Sequence, residues 1–168
     1  MSVVMLSGPV AAGKTPVARE LVAISPAPLC YIEGDEFWRL FAKPDSTPRR
    51  ERFSVLMRSI TAAAVPLARS GYEVLLDFSF PAAFIGTARK ILKEITIDLV
   101  VLRPSLATCE QRASARPEGR LSDYGVYRDF YSMFKCLPKH EICDDDADPA
   151  SIARRIREGL DHGLFRLD

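Results

Sequence analysis

Residues Gly8-Pro9-Val10-Ala11-Ala12-Gly13-Lys14-Thr15 fit the pattern G-x-x-x-x-G-K-[ST], and their flanks constrain the fold more than any other feature of the chain. Before the octapeptide, Val3, Val4, Met5 and Leu6 form an unbroken apolar run, which reads as a strand buried on both faces. After it, Val17, Leu21 and Ile24 recur at three- and four-residue intervals, the period of a helix. A glycine-containing loop between strand and helix turns successive amide N–H groups toward an anion, and the helix start adds partial positive charge. In this setting Gly8, Ala11, Ala12 and Gly13 would cradle phosphate through their backbone, and Lys14 would reach the β- and γ-phosphates. Thr15 would place its hydroxyl on a bridging magnesium ion. Pro16 is tolerated because first-turn amides have no helical partner.

The rest of the chain alternates in the same way. Leu29 to Ile32 reads as a second strand, and Asp35 to Phe41 as a short helix, followed by a turn-rich break from Lys43 to Pro48. Arg49 to Ser70 is a long helix with Phe53, Leu56, Ile60, Ala64 and Leu67 on one face; Pro66 is expected to kink its end and Gly71 to cap it. Glu73 to Phe78 and Ile97 to Leu102 are further buried strands, with Glu141 to Cys143 a short fifth. Helices are expected over Pro81 to Glu94, Ser105 to Arg116, Tyr124 to Lys135 and Ser151 to Leu160, and Pro117 to Asp123 as a mobile polar loop. Strands and helices at this spacing give an α/β class with a mostly parallel sheet, while the order of the strands cannot be read from periodicity. Nothing divides the 168 residues, so one domain over 1–168 is expected.

A formal charge of +1 removes the broad cationic field that would argue for nucleic acid or a membrane surface. No apolar stretch is long enough to span a bilayer and no signal-peptide pattern opens the sequence, so a cytoplasmic location is expected. Cys30, Cys109, Cys136 and Cys143 have no metal-ligand or C-x-x-C spacing and read as reduced thiols. Asp144-Asp145-Asp146 lacks the spacing of a calcium loop and reads as a solvated turn, and His140 and His162 have no visible partner for triad or metal chemistry.

Asp35 lies just past the second strand, where ligands collect in open α/β sheets. It can accept the proton of an attacking hydroxyl, or cap the helix that follows. Asp77, at the end of the third strand, suits a magnesium contact or a turn cap. Arg112, Arg116 and Arg120 recur every four residues from a helix into the Pro117-Glu118-Gly119 loop. Guanidinium groups there match the charge of a transferring phosphoryl group, or else form a solvated basic face. Trp38, Phe37 and Phe41 read as core, with a substrate wall as the alternative, and the Arg49, Arg50 and Arg52 cluster as a charged helix start or a substrate-side group. The absence of asparagine removes the N-K-x-D element of GTPases, so ATP is the expected nucleotide.

The loop Gly8 to Thr15, the acid in Glu33-Gly34-Asp35, the run Val74 to Asp77 and the arginines from Arg112 to Arg120 together resemble the small P-loop kinases. That group includes gluconate and shikimate kinases, chloramphenicol phosphotransferase and zeta toxin. The resemblance implies a three-layer P-loop NTPase fold with five mostly parallel strands between helices, and substrate-side helices over about 35–70. It further implies Asp35 as base, a lid over about 116–123 carrying Arg116 and Arg120, and Arg112 against the adenine. Phe78-Ser79-Phe80-Pro81 stands where shikimate kinases have a glycine triplet, which argues against shikimate. The expected activity is transfer of the γ-phosphoryl group of ATP, with Mg2+, to a hydroxyl of a small molecule. A nucleotide or nucleoside kinase and a non-catalytic nucleotide-binding switch are the alternatives, and the oligomeric state is left open.

Overall fold

The computed structural model describes residues 2–43, 45–115, 123–136 and 138–167. Strand β1 (Ser2–Ser7) is central: Val3, Val4, Met5 and Leu6 are all at most 1% exposed, which accounts for their lack of alternation. Around it lie β2 (Leu29–Glu33), β3 (Glu73–Asp77), β4 (Thr96–Leu102) and β5 (Glu141–Ile142), in the order β2-β3-β1-β4-β5. Every pairing is parallel. The expected α/β three-layer architecture is present, with the sheet wholly rather than mostly parallel in these five strands.

The two faces of β1 open onto two cores. Val3 and Met5 pack with Leu56, Ile60 and Ala64 of α2 (Arg49–Arg69) and with Ala88 and Leu92 of α3 (Ile85–Leu92). Val4 and Leu6 pack with Val17, Ala18 and Leu21 of α1 (Lys14–Ile24) and with Ile152, Ala153 and Ile156 of α6 (Pro149–Asp161). Helix α4 (Leu106–Ser114) packs Cys109 and Ala113 with Ala11 of the loop after β1, and Phe130 of α5 (Arg128–Ser132) packs against the first core. Ser105 caps α4, accepting from the Thr108 amide, and Asp148 caps α6, accepting from that of Ser151.

Several elements differ in extent from the sequence reading. Gly34–Leu40 forms a 3-10 helix, Ala82–Phe84 is a 3-10 turn leading into α3, and Gly125–Tyr127 another leading into α5. Helix α2 runs through Pro66 as far as Arg69, and Gly71, at φ +95°, closes it with its amide on the Ala68 carbonyl. Arg116, Arg120 and most of the expected lid lie outside the described residues.

One element was not legible in the sequence: Phe165 to Leu167 runs antiparallel along the outer edge of β4. The Leu99 amide donates to the Phe165 carbonyl and the Leu167 amide to that of Ile97, both at 2.9 Å. Because β5 pairs only with Val101 and Leu102, this tail covers the part of the β4 edge that β5 leaves open. Among the described residues no helix is long and apolar enough to cross a membrane.

Ile60 is 0% exposed between α2 and the sheet. Ile60→Ala is expected to lower unfolding free energy by about 2–5 kcal/mol, read as a lower urea midpoint. Val126, 73% exposed, should change stability little when truncated to Ala.

Candidate functional site

Parallel register assembles the site at the carboxyl ends of three strands. Leu6 of β1 pairs with Asp77 of β3, and Asp77 pairs with Glu33 of β2, so the loop after β1, the end of β3 and the turn at Gly34-Asp35 share one edge. The loop itself is tightly seated. Gly8 has φ +147°, and a Cβ there would stand 2.2 Å from the Leu102 carbonyl oxygen of β4, so only glycine lets the chain leave β1 this close to its neighbour. Gly13 (φ +93°) and Ala11 (φ 62°) are left-handed, the conformation that turns loop amides inward ahead of α1. Lys14 Nζ donates to the Gly8 carbonyl at 3.1 Å and the Pro9 carbonyl at 2.9 Å, so the ammonium curls back over the loop.

Thr15 Oγ1 donates to Asp77 Oδ2 at 2.7 Å, so the hydroxyl and carboxylate expected at a magnesium ion are in direct contact. The same oxygen accepts from the Tyr31 hydroxyl at 3.1 Å. Asp77 is 3% exposed, and burial raises its pKa above the usual carboxylate range. The Lys14 charge and the hydrogen bonds from Thr15 and Tyr31 oppose that rise, while the charge of Asp35 adds to it. Tyr31 is itself held strongly in its protonated form by burial and by Asp77. A buried carboxylate with an adjoining hydroxyl fits a hard, oxygen-seeking cation that takes few protein ligands and several phosphate or water oxygens. Among the described residues no cluster of three or more His, Cys, Asp or Glu side chains forms an independent metal site.

Asp35 is exposed on the 3-10 helix and makes no hydrogen bond or ion pair among the described residues. The capping position of that helix is Glu33, without a side-chain cap, so the capping alternative for Asp35 is not realised. Gly34 is buried because a Cβ there would stand 2.7 Å from the Phe78 side chain; the chain turns off β2 directly against that ring.

On the other flank, Arg112 Nη1 donates to the Ala12 carbonyl at 3.4 Å and Nη2 to the Asp145 carbonyl at 3.0 Å. It therefore spans the phosphate loop and the β5–α6 connection. There Asp145 accepts from the Ser105 amide, and Asp144 accepts from the Asp146 and Ala147 amides while pairing with Arg155. The aspartate run therefore forms a turn whose carboxylates accept from nearby amides. His140 is buried with Nδ1 3.1 Å from the Leu99 carbonyl oxygen.

Three residues of the site escaped the sequence reading. Tyr31 lies in a strand whose apolar run hides its hydroxyl. Tyr124 is 6% exposed and donates to the Val10 carbonyl at 2.8 Å, pinning the loop from outside. Ser7 accepts from the Phe80 amide and donates to the Phe80 carbonyl, which ties β1 to the segment beyond Asp77. No local spacing marks any of them, because the contacts that bring them to the site join residues distant in sequence.

An acid with a raised pKa stays protonated to higher pH, so the anion suited to magnesium forms only as pH rises through the shifted value. Affinity for Mg·ATP is therefore expected to increase with pH across a step above the ordinary carboxylate range. Tyr31→Phe removes a hydrogen bond that favours the anion and should move the step upward; Asp77→Asn should abolish it. Calorimetric titrations over a pH series distinguish these outcomes, and an unmoved step in Tyr31→Phe would refute the assignment.

Residues 3–127 match the model of a family described as AAA domain. No curated protein matches the sequence. The fold is similar to that of an APS kinase of Mycobacterium tuberculosis solved in complex with AMPPNP and APS, with TM-score 0.74, 21% identity and 95% and 97% of the two chains covered. A tunicamycin resistance protein of Deinococcus radiodurans is similar with TM-score 0.73, 16% identity and coverage of 99% and 98%. An unliganded sugar kinase from Janibacter sp. HTCC2649 gives TM-score 0.70, 20% identity and coverage of 95% and 94%. The expected small P-loop kinase fold is therefore the observed one, and the chain belongs to the AAA-domain family, whose model covers the loop, Asp35, Asp77 and the strands from β1 to β4.

Proposed function

We propose that this chain transfers the γ-phosphoryl group of ATP to a hydroxyl of a small molecule. The observation that carries the reading is the 2.7 Å contact between Thr15 and a buried Asp77, with an exposed Asp35 near by that makes no hydrogen bond or ion pair among the described residues. The first pair suits the metal and phosphate, and the lone carboxylate suits the acceptor.

In this reading the loop amides from Gly8 to Gly13 and Lys14 hold the β- and γ-phosphates, with Arg112 on the nucleotide side of the loop. Thr15 and Asp77 would hold magnesium, which when bound would supply charge neutralisation to the phosphates. Asp35 orients the acceptor hydroxyl and takes its proton, being exposed and near enough to the site for its charge to act on Asp77. Arg116 and Arg120 serve as lid residues that stabilise the transferring group. Little covalent chemistry is asked of the protein, so positioning and electrostatics provide most of the rate. Kinase neighbours at about this chain's length support phosphoryl transfer as the reaction class, and a location in the cytoplasm, where Mg·ATP is abundant, belongs to the same proposal.

The test follows ADP release from Mg·ATP across a panel of polyols, sugars, sugar acids, nucleosides and nucleotides. One compound should stimulate release. Lys14→Ala should abolish the stimulation, and Asp35→Asn should reduce kcat by about 10²–10⁴-fold while ATP affinity is retained. Tight ATP binding with no stimulation, and indifference to Asp35→Asn, would instead identify a nucleotide-binding switch.

A further inference from the structure

The carbonyls of the phosphate loop are held by three side chains, each taking a different stretch of the backbone. Those of Gly8 and Pro9 face Lys14 Nζ at 3.1 and 2.9 Å. The Val10 carbonyl accepts from the Tyr124 hydroxyl at 2.8 Å, and the Ala12 carbonyl from Arg112 Nη1 at 3.4 Å. A trans peptide is planar, with its C=O and the N–H that follows pointing in opposite directions. Anchoring the Val10 oxygen on Tyr124 therefore turns the Ala11 N–H away from that ring, and the Arg112 contact does the same for the Gly13 N–H. The amide between them, that of Ala12, is engaged with the Pro9 carbonyl at 3.3 Å. The amides of Ala11 and Gly13 make no hydrogen bond among the described residues, which leaves both as donors for an anion.

The conformation of Ala11 gives the Tyr124 contact a specific task. Ala11 stands at φ 62°, a left-handed angle that strains alanine and not glycine. Relaxing it to the right-handed region would swing the Val10–Ala11 peptide, whose oxygen Tyr124 holds. A strained residue persists only where its surroundings over-determine it.

Tyr124 is itself fixed. Its side chain packs in a small core with Ala11, Cys109 and Ala113, and its ring lies 5.6 Å from that of Tyr127. Burial first, and the Cys109 thiol beside it, raise the Tyr124 pKa above the ordinary tyrosine range, so the hydroxyl remains a donor. Arg112 is the looser of the two outer anchors, since it divides its guanidinium between the Ala12 and Asp145 carbonyls.

We infer that Tyr124 is a positioning residue for nucleotide binding: its hydroxyl locks the Val10–Ala11 peptide, keeps Ala11 left-handed and so presents the Ala11 amide to the phosphates of the nucleotide. This rests on the reading of Gly8 to Thr15 as a phosphate loop and is independent of which acceptor, if any, receives a phosphoryl group.

The test compares wild type, Tyr124→Phe, Ala11→Gly and the double variant. Binding of Mg·AMPPNP and of inorganic tripolyphosphate is measured by calorimetry, the urea midpoint is recorded for each protein, and the Ala11 amide is followed by nuclear magnetic resonance. Phenylalanine keeps the ring and its packing, so Tyr124→Phe removes the hydroxyl alone. It should weaken both ligands by a common factor of about two to ten and shift the Ala11 amide resonance. When Ala11→Gly is already present, the left-handed backbone carries no penalty, and Tyr124→Phe should cost a smaller factor. A tyrosine that only stabilised the fold would lower the urea midpoint and give the same factor with either residue at position 11.

Unchanged tripolyphosphate affinity in Tyr124→Phe, an equal loss with and without Ala11→Gly, or an unmoved Ala11 resonance would overturn the inference. Wild-type protein that binds neither ligand would overturn the phosphate-loop reading and this inference together. Binding that follows the expected pattern, with no ADP release by any acceptor, keeps the role of Tyr124 and removes the kinase.

Discussion

The burial of β1 on both faces and its pairing on both edges is the constraint from which the rest of the structure follows. Its backbone is hydrogen-bonded to β3 and β4, and its side chains divide between two cores, so its carboxyl end cannot shift relative to either neighbour. The phosphate loop starts from that end. Gly8 passes so near the Leu102 carbonyl that the exit of the loop is set by β4, and Ser7 locks the same point to Phe80 beyond β3. Tyr124 and Arg112 then hold the loop from outside through the carbonyls of Val10 and Ala12. A loop whose donors must face a phosphate without reorganising needs this kind of external bracing.

Placing Asp77 at the buried edge beside β1 has an electrostatic cost. Desolvation favours its neutral form, and only Lys14, Thr15 and Tyr31 counter that. A site with one buried carboxylate, one hydroxyl and one lysine is poised for a cation accompanied by phosphate oxygens, because those groups complete what burial removes. Asp35, on the exposed side of the same edge, bears no such constraint and keeps its carboxylate open to solvent. The two acids thus sit in opposite environments at the carboxyl edge of the sheet, Asp77 at the end of β3 and Asp35 on the 3-10 helix after β2, and different environments are what allow two carboxylates to take different tasks.

The flank beyond Asp35 is rigid for a different reason. Aromatic rings from the 3-10 helix, α2, the end of β3 and α5 interlock, and none of these elements is adjacent to all the others in sequence. Rings with few rotamers packed edge-on and face-on fix the direction of whatever is mounted on them at little entropic cost. Sequence reading took Phe37, Trp38 and Phe41 as core with a substrate wall as the alternative. The structure shows them half-buried against the core, with cations over Trp38 and Phe41.

What the chain declares locally, its sequence determined. The octapeptide from Gly8 to Thr15, the unbroken apolar strands, the period of α1 and α2 and the glycine cap at Gly71 all depend on contacts within a few residues or on burial that composition reveals. The α/β class and the candidate roles of Lys14, Thr15, Asp35 and Asp77 were legible on that basis. The strand order, the pairing of Thr15 with an aspartate 62 residues away, the bracing by Tyr31 and Tyr124, the tail along β4 and the stack under Arg49 were decided only by tertiary structure. Each joins residues from separate elements, and hydrophobic period records which face of an element is buried but not which element buries it.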